Sequence, residues 1–307
     1  MKLSIVSTLY FSEKNILEFC QRCVNVAKLI ATNDYEIILV NDGSPDKSLE
    51  IAIQLSMINN KITIIDLSRN FGHHKAMMTG LKYAKGDLTY LLDSDLEESP
   101  EWVLKFNDVL CDENIDVVYG VQKKRKGLIF ERISGLIFYR IFRALTEIDL
   151  PDNIVTARLM RKKYVDSLLL HNEKTLSIGG IWAITGFNQK YINVIKKSKG
   201  NTTYTLRKKI ITFVDAITSF SAKPLFFIFY FGLIFSLACF MYVLYLAFSK
   251  LFFENYAPGF SSVMVSIWLF SGLIILFIGI IGLYVSKIFI EVKSRPLTII
   301  KNIYKSD

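Results

Sequence analysis

Asp93 and Asp95 stand one residue apart at the end of an apolar run, Leu88 to Leu92, and Glu97, Glu98 and Pro100 follow them. Such a run, stopped by acids and a helix-starting proline, predicts a buried strand that delivers carboxylates to the carboxyl edge of an α/β sheet, where ligands bind. Two acids so spaced can hold a hard divalent cation that neutralises a diphosphate and stabilises a leaving nucleotide. Taken alone, the same pair also fits a solvated turn, so its context has to decide. Asp42 ends a second apolar run, Tyr35 to Val40, where it can accept hydrogen bonds from a base or ribose, while Gly43 lets the backbone turn and approach closely. An ordinary turn with Ser44 capping the next helix explains those residues equally. Arg69 and Lys75 flank a helix start, which suits an anion. His73 and His74 between them have no third metal ligand nearby, and a helix-start role is preferred for them.

The elements that must position these side chains follow from hydrophobic periodicity. Lys2 to Leu9, Tyr35 to Val40, Ile62 to Asp66, the run before Asp93 and Asp116 to Val121 read as strands; Glu13 to Ile30 and Ala76 to Ala84 read as helices. Strands alternating with helices predict an α/β domain with a mostly parallel, Rossmann-like sheet and right-handed crossovers. Leu225 to Phe248 and Val263 to Ser286 carry no charge, and each is close to the roughly 20 residues that cross a bilayer core of about 30 Å. Two transmembrane helices are predicted. Arg207, Lys208, Lys209 and Lys223 precede the first, and Lys287, Lys293, Arg295, Lys301 and Lys305 follow the second. This bias places both termini and the soluble domain on the cytoplasmic side of a plasma (inner) membrane. No secretory signal is expected, because the first apolar run is too short.

The net charge of +9 does not call for nucleic acid, since an anionic inner leaflet draws basic juxtamembrane residues at about 1 kcal/mol each. Cys20, Cys23, Cys111 and Cys239 lack a metal-ligand pattern and read as packing residues in a reducing compartment. After the fifth strand come Lys123 to Lys126 and an apolar helix studded with Arg132, Tyr139, Arg140 and Arg143, about residues 127–146. That mixture suits a helix lying in the membrane interface, with Lys124 and Arg125 holding a lipid phosphate; a solvated charge run before a core helix is the plainer alternative. The basic stretch Lys196 to Arg207 by itself reads as a flexible charged loop. Residues 1–201 are therefore expected as the catalytic domain, 202–223 as an amphipathic juxtamembrane segment, 224–290 as a membrane hairpin and 291–307 as a cytoplasmic tail. Gly232 and Ser236, at small-residue spacing, allow close helix approach in a homo-oligomer.

The order Asn41-Asp42-Gly43-Ser44, Ser68-Arg69-Asn70-Phe71-Gly72-His73, Gly86-Asp87 and Asp93-Ser94-Asp95-Leu96-Glu97 with Pro100-Glu101 resembles the family 2 inverting glycosyltransferases of GT-A fold. Within them the chain is most similar to the branch that loads polyprenyl phosphate, with bactoprenol glucosyltransferases and dolichyl-phosphate mannose synthases as members. The resemblance implies that Asp42 binds the base, that Asp93 contacts the ribose or diphosphate, and that Asp95 ligates Mg²⁺ or Mn²⁺. Glu97 stands where relatives carry a metal-ligating Gln. It also implies base contacts from Leu9 and Glu13, although Ser7 to Glu13 here lacks the usual Pro before an aromatic-Asn-Glu. Asn153 to Met160 resembles the family's aromatic-Arg-Leu segment, which puts Arg158 in the catalytic group. Thr156 occupies the place of an acid two residues before that arginine. A missing base matters little for a phosphate acceptor, whose second pKa of about 6 leaves it largely ionised at neutral pH. The implied reaction moves a hexose, glucose by resemblance, from a nucleotide sugar such as UDP-glucose to undecaprenyl phosphate with inversion, for glycan decoration beyond the membrane. A processive polysaccharide synthase is a rival, but the chain contains no Arg-Trp pair. A catalytically idle partner of a lipid-sugar flippase is the other, and the departures at Thr156, Glu97 and Thr203 favour it. Thr203 replaces a lysine in the stretch Lys196 to Arg207, which resembles the family's basic acceptor loop and implies that Lys199, Tyr204 and Arg207 grip the lipid phosphate or the nucleotide diphosphate.

Overall fold

The computed structural model of the chain describes residues 2–122, 140–141, 143–146, 153–174, 178–197, 214–215, 217–253 and 259–306. In chain order the soluble elements are β1 (Leu3–Leu9), α1 (Ile16–Ala31), β2 (Tyr35–Asn41), α2 (Ser48–Ile58), β3 (Ile62–Leu67), α3 (His73–Tyr83), β4 (Leu88–Leu91), α4 (Trp102–Leu110) and β5 (Val117–Gln122). They continue with β6 (Ile154–Arg161), α5 (Lys162–Leu168), α6 (Ile178–Ile184) and β7 (Gln189–Val194). Two long helices follow, α7 (Lys223–Phe253) and α8 (Phe260–Val292), and β8 (Ile300–Tyr304) closes the chain.

One eight-stranded sheet runs in the order β7-β5-β6-β4-β1-β2-β3-β8. β1 pairs in parallel with β2 and β4, and β2 with β3, as alternating strands and helices predict. β1, β2 and β4 carry residues buried on both faces, which is why their sequences read as continuous apolar runs rather than alternating ones. β6 runs antiparallel between β4 and β5, so the sheet is mixed at that side. Its register sets Leu91 opposite Arg158, and continuing it two residues brings Asp93 level with Thr156. The core of this unit lies between the sheet and its helices: Leu3, Ile5, Ile37, Leu39 and Tyr90 pack with Phe19, Cys23 and Phe106.

The chain divides into two units, one of Met1–Arg143, Ile148–Thr205 and Ser294–Asp307, the other of Ala144–Glu147 and Leu206–Lys293. Residues after α8 therefore rejoin the first unit. β8 pairs antiparallel with β3, Ser68 N–H donates to the Ile299 carbonyl at 2.9 Å, and the Thr79 and Thr298 hydroxyls meet at 2.7 Å. The segment expected as a tail thus contains an edge strand that covers β3.

In the second unit, α7 and α8 are 31 and 33 residues long. Phe231 meets Phe277 at 5.6 Å and Phe235 meets Phe270 at 5.1 Å between ring centroids. The two pairings run in opposite senses along the chain, so the helices are antiparallel neighbours. Tyr284 donates to the Ser221 carbonyl at 2.6 Å, and Lys287 pairs with Asp215 at 2.7 Å. Among the described residues, one helical stretch, Leu269–Val292, is long and apolar enough to cross a membrane, and a shorter apolar stretch, Lys223–Phe235, opens α7.

Candidate active site

The carboxyl ends of β1 and β4, the start of β6 and the first turn of α3 meet around Asp93, which the His73 and Thr156 side chains touch. His73, the first residue of α3, places Nε2 3.1 Å from Asp93 Oδ1, and its Nδ1 lies 2.9 Å from the Thr8 hydroxyl. From the other side, the Thr156 hydroxyl donates to Asp93 Oδ2 at 3.0 Å. Burial works against the ionised carboxylate, yet the hydrogen bonds and charge of His73, with Lys196 and Thr156 behind them, hold the Asp93 pKa below its usual value. Burial likewise opposes the His73 imidazolium, but Asp93 prevails and raises the His73 pKa. Below this pair, Ser94 donates to the Thr8 carbonyl at 2.8 Å and meets Ser12 Oγ at 2.9 Å, joining the ends of β1 and β4.

Asp42 is buried and faces inward along the loop ahead of α3. Its Oδ1 accepts the Phe71 N–H at 2.7 Å and its Oδ2 the Gly72 N–H at 3.1 Å, so it clamps the Arg69 to Gly72 loop. Burial raises its pKa against those two bonds. Gly43 has φ +61° and sits so near the loop that a Cβ would fall 2.6 Å from Asn70 N. Both the left-handed backbone and the close approach demand glycine. Arg69 is exposed, donates to the Asn70 carbonyl at 3.1 Å and lies over the Phe71 ring at 4.2 Å. Leu9 is fully buried in the core, with its carbonyl accepting the Asp42 N–H at 3.1 Å. Glu13 accepts the Lys47 N–H at 3.2 Å, and its own N–H donates to Asp46 at 3.1 Å. The Leu9 side chain thus serves packing, and Glu13 ties two turns together.

Asp95 is half-buried, its Oδ1 accepting the Glu97 N–H at 2.9 Å. Leu96 between them has φ +63°, an uncommon conformation for a side chain of this kind and one that concentrates at ligand clamps. Burial and the neighbouring Asp93 and Glu97 charges raise the Asp95 pKa, against the Glu97 N–H bond and Lys196. Glu97 turns to Lys196, whose Nζ is 3.3 Å from Glu97 Oε2 and 3.4 Å from Glu98 Oε1. Among the described residues no group of three His, Cys, Asp or Glu side chains is arranged to hold a metal ion. Asp93 Oδ1 is buried and receives no aligned hydrogen bond, the His73 ring meeting it only as an ion pair, and the Asp93 and Glu97 charges raise the Asp95 pKa. This set fits a cation of the Mg²⁺ type, which characteristically takes one or two protein carboxylates and completes its shell with water and substrate phosphates.

Sequence patterns did not single out Glu98 or Lys196. Glu98 is fully buried and accepts the backbone N–H groups of Thr156 at 3.0 Å and Ala157 at 2.7 Å, fixing β6 against the acidic loop. Burial, then the Asp93 charge, push its pKa up to about 7. Both signals were present in the sequence, as the second acid after the Asp-X-Asp and as the first lysine of a basic run. Only the antiparallel return of β6 and the position of β7 give them their partners. Arg158 is buried on the same side of β6 as Thr156, its guanidinium 3.0 Å from the Trp182 ring centroid and 5.9 Å from that of Tyr119. Its Nε donates to the Thr156 carbonyl at 3.4 Å, which makes it a support behind Thr156 rather than a group in contact with Asp93. Lys124, Arg125, Lys199, Tyr204 and Arg207 lie outside the described residues.

The sequence pattern of the family described as "Glycosyl transferase family 2" matches residues 4–169, which include the carboxyl ends of β1 to β6. The chain belongs to glycosyl transferase family 2. It is a glycosyltransferase with a GT-A type sheet. Relatives extend along its whole length. A Mycobacterium tuberculosis (strain CDC 1551 / Oshkosh) protein described as "Putative glycosyltransferases" is 48% identical over 307 residues, covering 100% of this chain and 90% of the other. The glycosyltransferase YkcC of Bacillus subtilis (strain 168) is 37% identical over 99% of this chain and 94% of its own. A prophage bactoprenol glucosyl transferase homolog of Escherichia coli (strain K12) is 27% identical over 99% of this chain and 100% of its own.

Proposed function

We propose that this glycosyltransferase moves a hexose, glucose in our reading, from UDP-glucose to undecaprenyl or a similar polyprenyl phosphate at the cytoplasmic face of the plasma membrane, inverting the anomeric centre. The observation that carries the reading is the return of the chain to its own sheet. β8 follows α8 and pairs with β3 of the catalytic unit, which supports a topology in which the chain between β7 and β8 crosses the bilayer an even number of times. In this reading Leu269–Val292 makes one crossing, and α7, antiparallel to α8 and 31 residues long, is proposed as the other. An enzyme held this way works beside a bilayer, where a charged isoprenoid is available as acceptor. Full-length similarity to the bactoprenol glucosyl transferase homolog supports the same acceptor class.

Asp93 would face the ribose and diphosphate, while Asp42 holds the Arg69 to Gly72 loop that borders the base. Asp95, with Asp93 beside it, would hold Mg²⁺ or Mn²⁺, which when bound neutralises charge on the departing diphosphate. Thr156 gives its hydroxyl to Asp93 and leaves no carboxylate at the acceptor's usual base position. An ionised phosphate monoester needs none, and catalysis then rests on positioning and electrostatics. Lys124, Arg125, Lys199, Tyr204 and Arg207 are proposed to grip the lipid phosphate.

The test is UDP release from UDP-glucose by the detergent-purified full chain, with and without undecaprenyl phosphate, and mass spectrometry of the lipid product across UDP-, GDP- and dTDP-sugars. Lipid-dependent release that disappears in Asp95→Ala is expected. Release that is independent of the lipid, or unchanged in Asp95→Ala, overturns the proposal.

A further inference from the structure

The Asp93 carboxylate is gripped from two elements that are far apart in sequence, and neither grip belongs to the Asp-X-Asp motif. We propose that His73 and Thr156 are positioning residues that brace Asp93 from opposite sides, with Thr8 setting the imidazole, so that the carboxylate presents a fixed orientation to the sugar nucleotide. The functional arm of this inference rests on the reading above; the geometry does not.

The His73 Nε2 lies 3.1 Å from Asp93 Oδ1 as an ion-pair contact outside hydrogen-bond alignment, and a carboxylate at that distance favours the protonated nitrogen on the side that faces it. That assignment leaves Nδ1 to the Thr8 hydroxyl at 2.9 Å, which can either donate or accept there. Thr8 is itself held by β1, whose pairing with β2 and β4 makes it one of the most constrained strands of the sheet. On the other side, Thr156 donates to Oδ2 at 3.0 Å, and its backbone is locked by Glu98 through two N–H bonds and backed by Arg158. The brace therefore joins β1, α3 and β6 through one carboxylate. Supporting groups of this kind hold a reacting or binding side chain to within fractions of an ångström. Thr156, which in the family pattern replaces an acid, gains a role here that an acid could not fill: a second carboxylate beside Asp93 would repel it.

His73→Ala, Thr156→Val and Thr8→Val, with Asp93→Asn as reference, test the brace in the full chain. Calorimetric affinity for UDP is expected to fall about tenfold in His73→Ala and Thr156→Val, as for the loss of one close charged contact and of one hydrogen bond to a charged group. Each loss should largely vanish when combined with Asp93→Asn, since the residues act through that carboxylate. A merely structural role would lower the thermal midpoint and leave UDP affinity alone, which overturns the proposal, as do losses fully additive with Asp93→Asn. Imidazole ¹⁵N spectra decide the geometry independently of nucleotide. The chain has three histidines; the resonance absent in His73→Ala should move in both Asp93→Asn and Thr8→Val. A stationary resonance in Asp93→Asn refutes the brace, whereas wild-type protein that neither binds nor turns over UDP-sugar, but shows the shift, refutes only the assigned reaction.

Discussion

Asp42 and Asp93 end strands on either side of β1, and both carboxylates are shielded from solvent, yet their partners differ in kind. Asp42 gives its oxygens to two backbone N–H groups of the loop before α3. Asp93 is met by side chains from α3 and β6. A carboxylate satisfied by backbone fixes the course of a loop, and its loss is felt first as stability. One held by side chains keeps a charge aimed outward, and its loss is felt first in chemistry. The same residue type at the same sheet edge thus does two jobs, and the hydrogen-bond partner distinguishes them.

The sharpest way to break this contrast is Asp93→Asn. The amide preserves shape but removes the charge that the proposed reaction sets near the departing diphosphate, so steady-state turnover of UDP-glucose is expected to fall on the order of a hundredfold or more, the scale of losing one preorganised electrostatic contact. The thermal midpoint should move little, because relief of a buried charge offsets the lost Thr156 and His73 contacts. A large drop in midpoint with turnover intact would reverse the assignments of the two aspartates.

Next in size are Asp42→Asn and Gly43→Ala. An asparagine at 42 turns an NH₂ toward one of two backbone N–H donors, leaving a buried group unpaired at a cost of about 1–3 kcal/mol. An alanine at 43 meets Asn70 N and a left-handed backbone together, and strain of that kind costs of order 1–3 kcal/mol. Urea denaturation of the soluble signal should report both losses, and UDP affinity should weaken secondarily through the loosened Arg69 to Gly72 loop. If Asp42→Asn instead left stability intact and abolished nucleotide binding, direct contact with the base would replace the clamp as its main role.

This contrast explains what was legible beforehand. Apolar runs at Leu3, Tyr35, Ile62 and Leu88 marked the parallel centre of the sheet because strands buried on both faces write themselves as unbroken apolar sequence. The acids at their ends were legible for the same reason. The helix start at His73 was placed three residues late, at Ala76, because His73-His74-Lys75 is polar, and its first turn is stabilised by contacts to Thr8 and Asp93 rather than by apolar periodicity. β8 went unseen because Ile300 to Tyr304 alternates only weakly and gains its meaning from β3, more than two hundred residues earlier in the chain. Glu98 was visible as an acid but not as the anchor of β6, since that role depends on an antiparallel return that local pattern does not encode.

The smallest expected effect belongs to a third carboxylate that separates burial from partner type. Glu101 is 44% exposed at its side chain and forms a two-pronged pair with Arg22, at 2.8 Å to Nε and 2.5 Å to Nη2. The Arg22 hydrogen bond, against the opposing effect of partial burial, holds its pKa down to about 2 from the usual 4.5. A depressed carboxylate stabilises the fold above its unfolded pKa and loses that contribution as pH falls through the folded one. Glu101→Gln should therefore be less stable than wild type at neutral pH and converge on it between about pH 4.5 and 2. Because the pair is open to solvent, the difference at neutral pH should stay below about 1 kcal/mol. Denaturation midpoints at pH 7 and pH 3 measure it. Should Glu101→Gln cost as much as Asp42→Asn, a strong partner alone would set the energetic weight of a carboxylate here; a small cost leaves removal from water as the factor that makes Asp42 and Asp93 consequential.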